Sequence, residues 1–338
     1  MQRAQRPSGV PAAVLTGLGA HLPPRVVTND DLGRELGTSD EWIVTRTGIR
    51  TRHVVDPGTA TSDLACEAGQ QALKAAGAAS VDLVVLATTT PDRPCPATAP
   101  AVAARLGLVG AAAFDVAAVC SGFVYGLAVA AGAVAAGIAE RVLLIGADTY
   151  STILDPADRS TRVIFGDGAG AVVLRRGVAD EPGALGPVDL GSDGTQSEAI
   201  MIPGGGSRQR SAGTDDTPYF VMAGRTVFKT AVEKMASSSS AALARAGWTP
   251  ADVDRLVAHQ ANARITAMVG ERLGVPADRL VSNIERVGNT AAASIPLALA
   301  DAAADGTLRP GHRVLLTAFG GGAAWGSATL VWPDIDAP

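Results

Sequence analysis

The chain has 338 residues, 47% of them apolar and 18% charged, with a net charge of −5. That much apolar side chain at so low a charge excludes disorder as the main state. A mildly acidic balance without a basic block excludes a protein that coats nucleic acid.

In chain order, the opening stretch MQRAQRPSGVPAAVLTGLG carries positive charge but no sustained apolar run, so it reads as no secretory signal. A helix is expected over Ser62 to Ala76, a strand over Val81 to Ala87 and a helix over Ala97 to Leu106. The 24 residues from Val116 to Ala139 carry no charge and are long enough to span a bilayer. They are mostly Ala and Gly, however. They read as the end of a strand followed by a buried helix over Gly122 to Gly137, not as a membrane span. Strands follow at Val142 to Gly146 and Ala171 to Leu174. Pro203 to Pro218, rich in Gly and Ser, reads as a mobile loop. Helices at Val227 to Ala246, Ala263 to Leu273 and Ser294 to Ala304 alternate with strands at Leu256 to Ala258 and Val314 to Thr317. Uncharged strands between helices point to an α/β sheet covered on both faces.

The order of elements repeats. ALKAAGAASVDLVVLATTT from Ala72 resembles ALARAGWTPADVDRLVAHQ from Ala242, Arg105-Leu-Gly matches Arg272-Leu-Gly, and RVLLIGAD from Arg141 matches RVLLTAFG from Arg313. GDGAGAVVL from Gly166 has a looser echo in GGAAWGSATL from Gly321. A duplicated unit follows, divided as 1–178 and 179–338. At an offset of 169, Cys120 falls on Asn289, and His259 falls close to Thr88 just past a strand end. Ligands collect beyond the carboxyl ends of parallel strands. A pseudo-dyad therefore offers a way to gather Cys120, His259 and Asn289 in one pocket.

These three groups define a chemistry. A cysteine at a helix start meets unpaired N–H groups and the positive end of the dipole, so its thiol pKa is expected to fall. The small residues after it leave backbone N–H groups open to an oxyanion. A strand-end imidazole can give or take a proton, whereas an asparagine amide donates but cannot act as a base. Together they suit stabilising an enolate or oxyanion beside a thiol nucleophile. Cys66 sits mid-helix and Cys95 lies between two prolines, so both read as structural; three cysteines in a chain this long read as reduced thiols. The four histidines share no ligand spacing with the cysteines, and no metal site is expected. FGDGAG and PGGGS do not open strand-to-helix turns in the phosphate-binding pattern.

SDEWIVTRTGIR, FDVAAVCSGFVYGL, IFGDGAGAVVL, VAHQANARI, VGNTAAASIPLAL and FGGGAAWGSA together resemble the β-ketoacyl-acyl-carrier-protein synthase III family, from about Val14 to Val331. The resemblance implies a thiolase fold, five layers αβαβα built from a duplicated half. It implies that Cys120 in the first half is acylated from acyl-coenzyme A. His259 and Asn289 in the second half would hold malonyl-acyl carrier protein during decarboxylation. It also implies an acyl oxyanion hole from the N–H groups of Cys120 and Gly321, with Phe319 beside it. Thr38, Trp42, Arg46, Arg159 and Asn262 match its coenzyme A contacts, and Lys229, Arg264 and Arg272 its basic patch for the carrier protein. Cys95 and Ala323 stand at acyl-pocket positions where many members have larger side chains, so the starter is expected to exceed acetyl. Ser121 replaces a more usual alanine. The family further implies a cytoplasmic homodimer with acyl-coenzyme A as substrate, no metal or redox cofactor, no nucleic acid and no membrane. Three other readings stand beside this one: an acyltransferase of specialised metabolism with another acceptor, a cysteine peptidase suggested by the order Cys, His, Asn, and a catalytically silent binding homologue.

Overall fold

The structure, a computed structural model, describes residues 9–336; positions 1–8, where the stretch read as lacking a secretory signal begins, and 337–338 lie outside the described residues. The first half runs β1 (Pro11–His21), β2 (Arg25–Thr28), α1 (Asn29–Leu36), α2 (Asp40–Thr47), β3 (Thr51–Val54), α3 (Thr61–Ala75), β4 (Leu83–Ala87), α4 (Ala99–Arg105) and β5 (Ala112–Val116). It continues through α5 (Gly122–Ala135), β6 (Arg141–Asp148), α6 (Arg159–Arg162) and β7 (Gly168–Val178). The second half opens with β8 (Leu185–Ser192), β9 (Ile200–Met201), α7 (Ser207–Ala212), β10 (Val221–Met222), α8 (Gly224–Ala246), β11 (Arg255–Ala258) and α9 (Ala263–Leu273). It closes with β12 (Leu280–Val281), α10 (Ile284–Val287), α11 (Ser294–Ala304), β13 (Arg313–Gly320) and β14 (Ala324–Val331).

Two five-stranded sheets carry the fold, ordered β1-β7-β6-β4-β5 and β8-β14-β13-β11-β12. The pairings correspond strand by strand. β4 lies parallel to β5 and β6 as β11 lies parallel to β12 and β13, and the outer two strands of each sheet run antiparallel. Leu83 sits opposite Val142, and Arg255 opposite Val314, each 172 positions further on. The helices that follow, starting at Gly122 and Ser294, keep the same spacing. This corrects the register read from sequence at offset 169. The structural counterpart of Cys120 is Ala292, not Asn289, and that of His259 is Ala87, not Thr88.

Helices and sheets alternate in five layers. α3 and α4 cover the outer face of the first sheet, α5 and α11 fill the space between the sheets, and α8 and α9 cover the outer face of the second. Each helix layer has its own apolar core. The central one joins Phe123, Leu127, Ile295 and Leu299 to Val85, Leu144, Val257 and Leu316 of the two sheets. The uncharged stretch from Val116 becomes the end of β5 and then α5, whose inner face is buried while Val129 is 37% exposed. Among the described residues no helix is long and apolar enough to cross a membrane. The segment read as a loop at Pro203–Pro218 contains α7 and is closed at its base by the Gly204 N–H donating to the Thr217 carbonyl at 2.8 Å.

The longest strand the sequence left unread is β1. Its glycines look like a loop signal, but they are a packing requirement: a Cβ on Gly17 would collide with the Ala72 carbonyl, and one on Gly19 with the Ala68 carbonyl, both on α3. Backbone blocks the added atom, so neither neighbour can yield cheaply. Gly19→Ala is therefore expected to lower stability by about 2 kcal/mol, as overpacking does elsewhere; a chemical denaturation midpoint equal to wild type would show that α3 can move away.

Candidate active site

β5 ends at Val116, and the chain enters α5 through a turn in which Val119 takes φ 48°. Cys120 follows, 8% exposed, at the start of the helix. Ser121 donates its hydroxyl to the Ala118 carbonyl at 2.7 Å. The serine that replaces the more usual alanine thus fastens its own turn and presents no further group to a substrate. The second half repeats the geometry: Ala291 takes φ 48° immediately before α11.

Asn289 precedes that second turn and is 4% exposed. Its N–H donates to the Ile164 carbonyl at 2.9 Å, and its carbonyl accepts from Gly166 N–H at 3.0 Å, so it is stitched to the segment around Phe165. The side-chain Oδ1 accepts from Ala291 N–H at 2.9 Å. This fixes the amide orientation and directs Nδ2, a donor only, away from the turn.

His259 lies just past β11 and is 2% exposed. Its N–H donates to Thr317 O at 2.8 Å, and its Nδ1 is 2.7 Å from Ser294 Oγ. Ser294 Oγ also accepts from Gln260 N–H at 3.0 Å. With its oxygen receiving that proton, the buried serine hydroxyl is satisfied when its own hydrogen goes to Nδ1. The imidazole proton then sits on Nε2. Burial pushes the His259 pKa down to about 3, so near neutral pH the ring is an uncharged Nε2–H donor. Ser294 begins α11 and Ala291 shares an apolar cluster with Cys120. The three candidates therefore meet where the two central helices start.

Asp148, at the end of β6, was not singled out from the sequence. It is fully buried, and its Oδ1 accepts from Thr89 N–H at 2.7 Å, Thr90 N–H at 3.2 Å, Thr90 Oγ1 at 3.1 Å and Thr88 Oγ1 at 3.3 Å. Its Oδ2 accepts from Ala292 N–H at 3.0 Å. The counterpart of Ala292 is Cys120, and the counterpart of Asp148 is Gly320. A Cβ on Gly320 would stand 2.8 Å from Cys120 N. The first half thus sets a carboxylate on the helix-start N–H of the second, whereas the second sets a bare glycine at that of the first and leaves the Cys120 N–H without that acceptor. Burial raises the Asp148 pKa to about 7 against the pull of its donors. The thiol of Cys120 does not follow the expected downward shift. Burial first, then the nearby Asp148 charge, push it up, outweighing the pull of its own backbone N–H. The resting group is a thiol.

The remaining candidates fall in three places. Trp42 is flanked by the guanidinium groups of Arg46 at 4.4 Å and Arg159 at 4.9 Å. Thr38 Oγ1 nearby in sequence is buried without a partner among the described residues. Asn262 is already engaged: it donates to Arg46 O at 2.9 Å and accepts from Arg264 N–H at 2.9 Å, tying α2 to the start of α9. Lys229, Arg264 and Arg272 are all exposed, Lys229 on α8 and the arginines on α9, with the Arg264 guanidinium 5.7 Å above the Phe228 ring. An open groove of about 440 Å³ is lined by Lys229 and by Arg225, a cation the sequence reading missed. Gly321 is buried at the turn after β13, while Phe319 and Ala323 belong to the apolar cluster under α8 and α9. Cys95 is exposed in the connection between β4 and α4. Within one chain, then, neither Cys95 nor Ala323 joins the cluster around Cys120. That cluster is formed by Tyr150, Leu154, Phe165, Phe220 and Ala291.

A resting thiol makes alkylation of Cys120 pH-dependent. With iodoacetamide the rate is expected to rise about tenfold per pH unit from pH 7 to at least pH 9, because only the thiolate reacts; a plateau below pH 8 would show that the helix start prevails over burial.

Residues 114–194 match the profile of 3-oxoacyl-[acyl-carrier-protein (ACP)] synthase III, and residues 243–332 match that of its C-terminal part. Beta-ketoacyl-[acyl-carrier-protein] synthase III 5 of Streptomyces coelicolor is 62% identical over 329 residues, spanning 96% of this chain and 99% of the relative. The Pseudomonas aeruginosa 3-oxoacyl-(acyl carrier protein) synthase III structure superposes with a TM-score of 0.91 at 54% identity, covering 96% of this chain and 99% of the other. A priming beta-ketosynthase from a polyketide biosynthetic pathway gives a TM-score of 0.90 at 36% identity, covering 99% and 100%. With its duplicated halves, five layers and thiolase fold, the chain belongs to the 3-oxoacyl-[acyl-carrier-protein] synthase III family.

Proposed function

We propose that the chain is a β-ketoacyl-acyl-carrier-protein synthase III that primes fatty acid or polyketide synthesis. The observation that carries this reading is the pairing of a helix-start thiol, its backbone N–H bordered by bare Gly320, with two neutral donors, His259 Nε2–H and Asn289 Nδ2. Donors of this kind suit an enolate or oxyanion, and none of the three activates water. That favours condensation over acyl transfer to another acceptor, and the family leaves no place for peptidase chemistry.

In the first step Cys120 Sγ attacks the carbonyl of acyl-coenzyme A. The new S–C bond forms, the thioester bond to coenzyme A breaks, and the thiol proton leaves on the departing thiol. The N–H groups of Cys120 and Gly321 receive the oxyanion. In the second step the malonyl group of malonyl-acyl carrier protein loses carbon dioxide, and its electron pair becomes an enolate whose oxygen is held by His259 and Asn289. The enolate carbon attacks the acyl-cysteine carbonyl. The S–C bond breaks, a β-ketoacyl-acyl carrier protein leaves, and Cys120 regains a proton. Neither step calls for a metal or redox cofactor.

Trp42, with Arg46 and Arg159 against its ring, suits stacking on an adenine, and Thr38 carries a buried hydroxyl without a hydrogen-bond partner among the described residues. Arg225, Lys229, Arg264 and Arg272 suit an acidic carrier protein. We read the chain as a cytoplasmic homodimer, packed through the segment Pro91–Pro100, exposed from Pro91 to Ala97, beside the open edge of β5. Light scattering at micromolar concentration checks this, and monomer alone would contradict it.

Cys120→Ala is expected to abolish acyl loading, read by intact mass, while keeping the fold. His259→Ala and Asn289→Ala should still load but release carbon dioxide from malonyl-acyl carrier protein about a hundredfold more slowly, as loss of one oxyanion donor does. Ser294→Ala should slow the same step about tenfold through loss of a buried hydrogen bond that fixes the imidazole, again with loading intact. Wild-type decarboxylation in any of the three second-half variants would break the division of labour.

A further inference from the structure

The carboxylate of Asp148 reaches across the two halves. Its Oδ2 accepts Ala292 N–H at 3.0 Å, although Asp148 ends β6 in the first half and Ala292 lies in the turn that leads into α11 in the second. The Ala292 peptide is bounded on its carbonyl side as well. A Cβ on Gly146, two residues back along β6, would collide with the Ala292 carbonyl, so the strand end lies directly against that peptide. Ala292 is fully enclosed, and a Cβ on Gly122 at the start of α5 would stand 3.6 Å from its methyl group.

The short run held in this way carries both donors. Asn289 Oδ1 accepts the N–H of Ala291, the residue before Ala292, at 2.9 Å. Ser294 Oγ, two residues after Ala292, is 2.7 Å from His259 Nδ1. A shift of the Ala292 peptide therefore disturbs both side chains. The acid is not needed to make the turn: the first-half helix start takes the same backbone, φ 48° at Val119, with bare Gly320 where Asp148 would stand. Nor does it serve the nucleophile, because its charge opposes ionisation of Cys120 and of Tyr150 in the same cluster. We propose that Asp148 is a positioning residue for decarboxylation, holding Asn289 and His259 in place for the enolate through its bond to Ala292 N–H. The inference deepens the function proposed above and rests on it. An amide cannot replace the carboxylate. Oδ1 accepts the N–H groups of Thr89 and Thr90 and two threonine hydroxyls, so the single oxygen of an asparagine goes to that side. Its Nδ2, a donor only, is then set against Ala292 N–H. One substitution thus frees the Ala292 peptide and removes the charge near Cys120, and two steps move in opposite directions.

The test compares Asp148→Asn with wild type in three rates: loading from acetyl coenzyme A by intact mass, carbon dioxide release from malonyl-acyl carrier protein, and alkylation of Cys120 by iodoacetamide at pH 8. Loading should be retained. Carbon dioxide release should fall at least about tenfold, as loss of a buried hydrogen bond to a charged group does. Alkylation should rise at least about threefold, because only the thiolate reacts. Thr88→Val removes one Oδ1 donor but leaves the Ala292 bond, and its carbon dioxide release should stay within about threefold of wild type. Gly146→Ala presses the same peptide from its carbonyl side with the charge intact; it should slow release without faster alkylation, and it decides the question if Asp148→Asn does not fold. Wild-type release in Asp148→Asn or in Gly146→Ala overturns the role. So does an equal fall in loading and release, the mark of a general loss of structure, or a fall in Thr88→Val as large as in Asp148→Asn. Wild type that loads acetyl yet releases no carbon dioxide instead overturns the condensing function, and this role with it.

Discussion

Two residues, one buried and one half-buried, adopt a left-handed backbone where the two central helices begin, and the site depends on both. Val119 and Ala291 take φ 48° although neither is glycine, a conformation that costs on the order of 1–3 kcal/mol and persists only when the surroundings impose it. The surroundings do so through short bonds. Ser121 grips Ala118, Asn289 grips Ala291 N–H, Asp148 grips Ala292 N–H, and Ala293 N–H returns to Thr290 O at 3.0 Å. The strain turns the chain sharply from strand end to helix, so that Cys120 arrives at a helix start and Asn289 lies just ahead of the other.

Duplication explains why the two turns match, and divergence explains why they do different work. In one half the helix-start N–H is closed by the Asp148 carboxylate, and that half is locked to the β4 end through Thr88, Thr89 and Thr90. At the helix start of the other half, Gly320 from across the pseudo-dyad stands where the acid would, and the corresponding N–H belongs to the nucleophile. A structural contact on one side becomes a place for a developing negative charge on the other. His259 and Asn289 come from the half whose helix start is locked, so the donors stand on the firmer element.

The periodic features were readable from sequence. The strands around Leu83, Val142, Leu256 and Val314, the central helices and the duplication follow from apolar runs and repeated words. The chemistry of Cys120, His259 and Asn289 also suggests itself from residue type and position. What stayed hidden depends on distance between remote segments. The register was misjudged by three residues because Cys120 and Asn289 have similar small-residue surroundings, although only Val119 and Ala291 share a backbone conformation. β1 was missed because its glycines answer to α3, 50 residues away. Ser294 is an ordinary helix-start serine until His259 is set beside it. Asp148 offered the one usable signal, a lone acid ending a strand that is uncharged from Val142 to Ala147. Burial of Cys120 could not be weighed against the helix dipole without the packed site.

The burial of His259 and Asp148 has a consequence for the folded state as a whole. Between about pH 3 and 6.5 an unfolded chain takes up a proton on His259 that the folded chain refuses, so acidification through that span erodes stability. Asp148 acts in the opposite sense. Between its ordinary value of 3.8 and about 7 the folded chain retains a proton that the unfolded chain releases, so stability falls as pH rises through that interval. Across the overlap, folding draws a proton onto one group as it sheds one from the other. The two linkages offset, and mild acid shifts the unfolding equilibrium less than either buried group would alone. Near neutrality the balance ends: His259 is settled as uncharged in both states, and Asp148 begins to ionise beside the thiol it opposes.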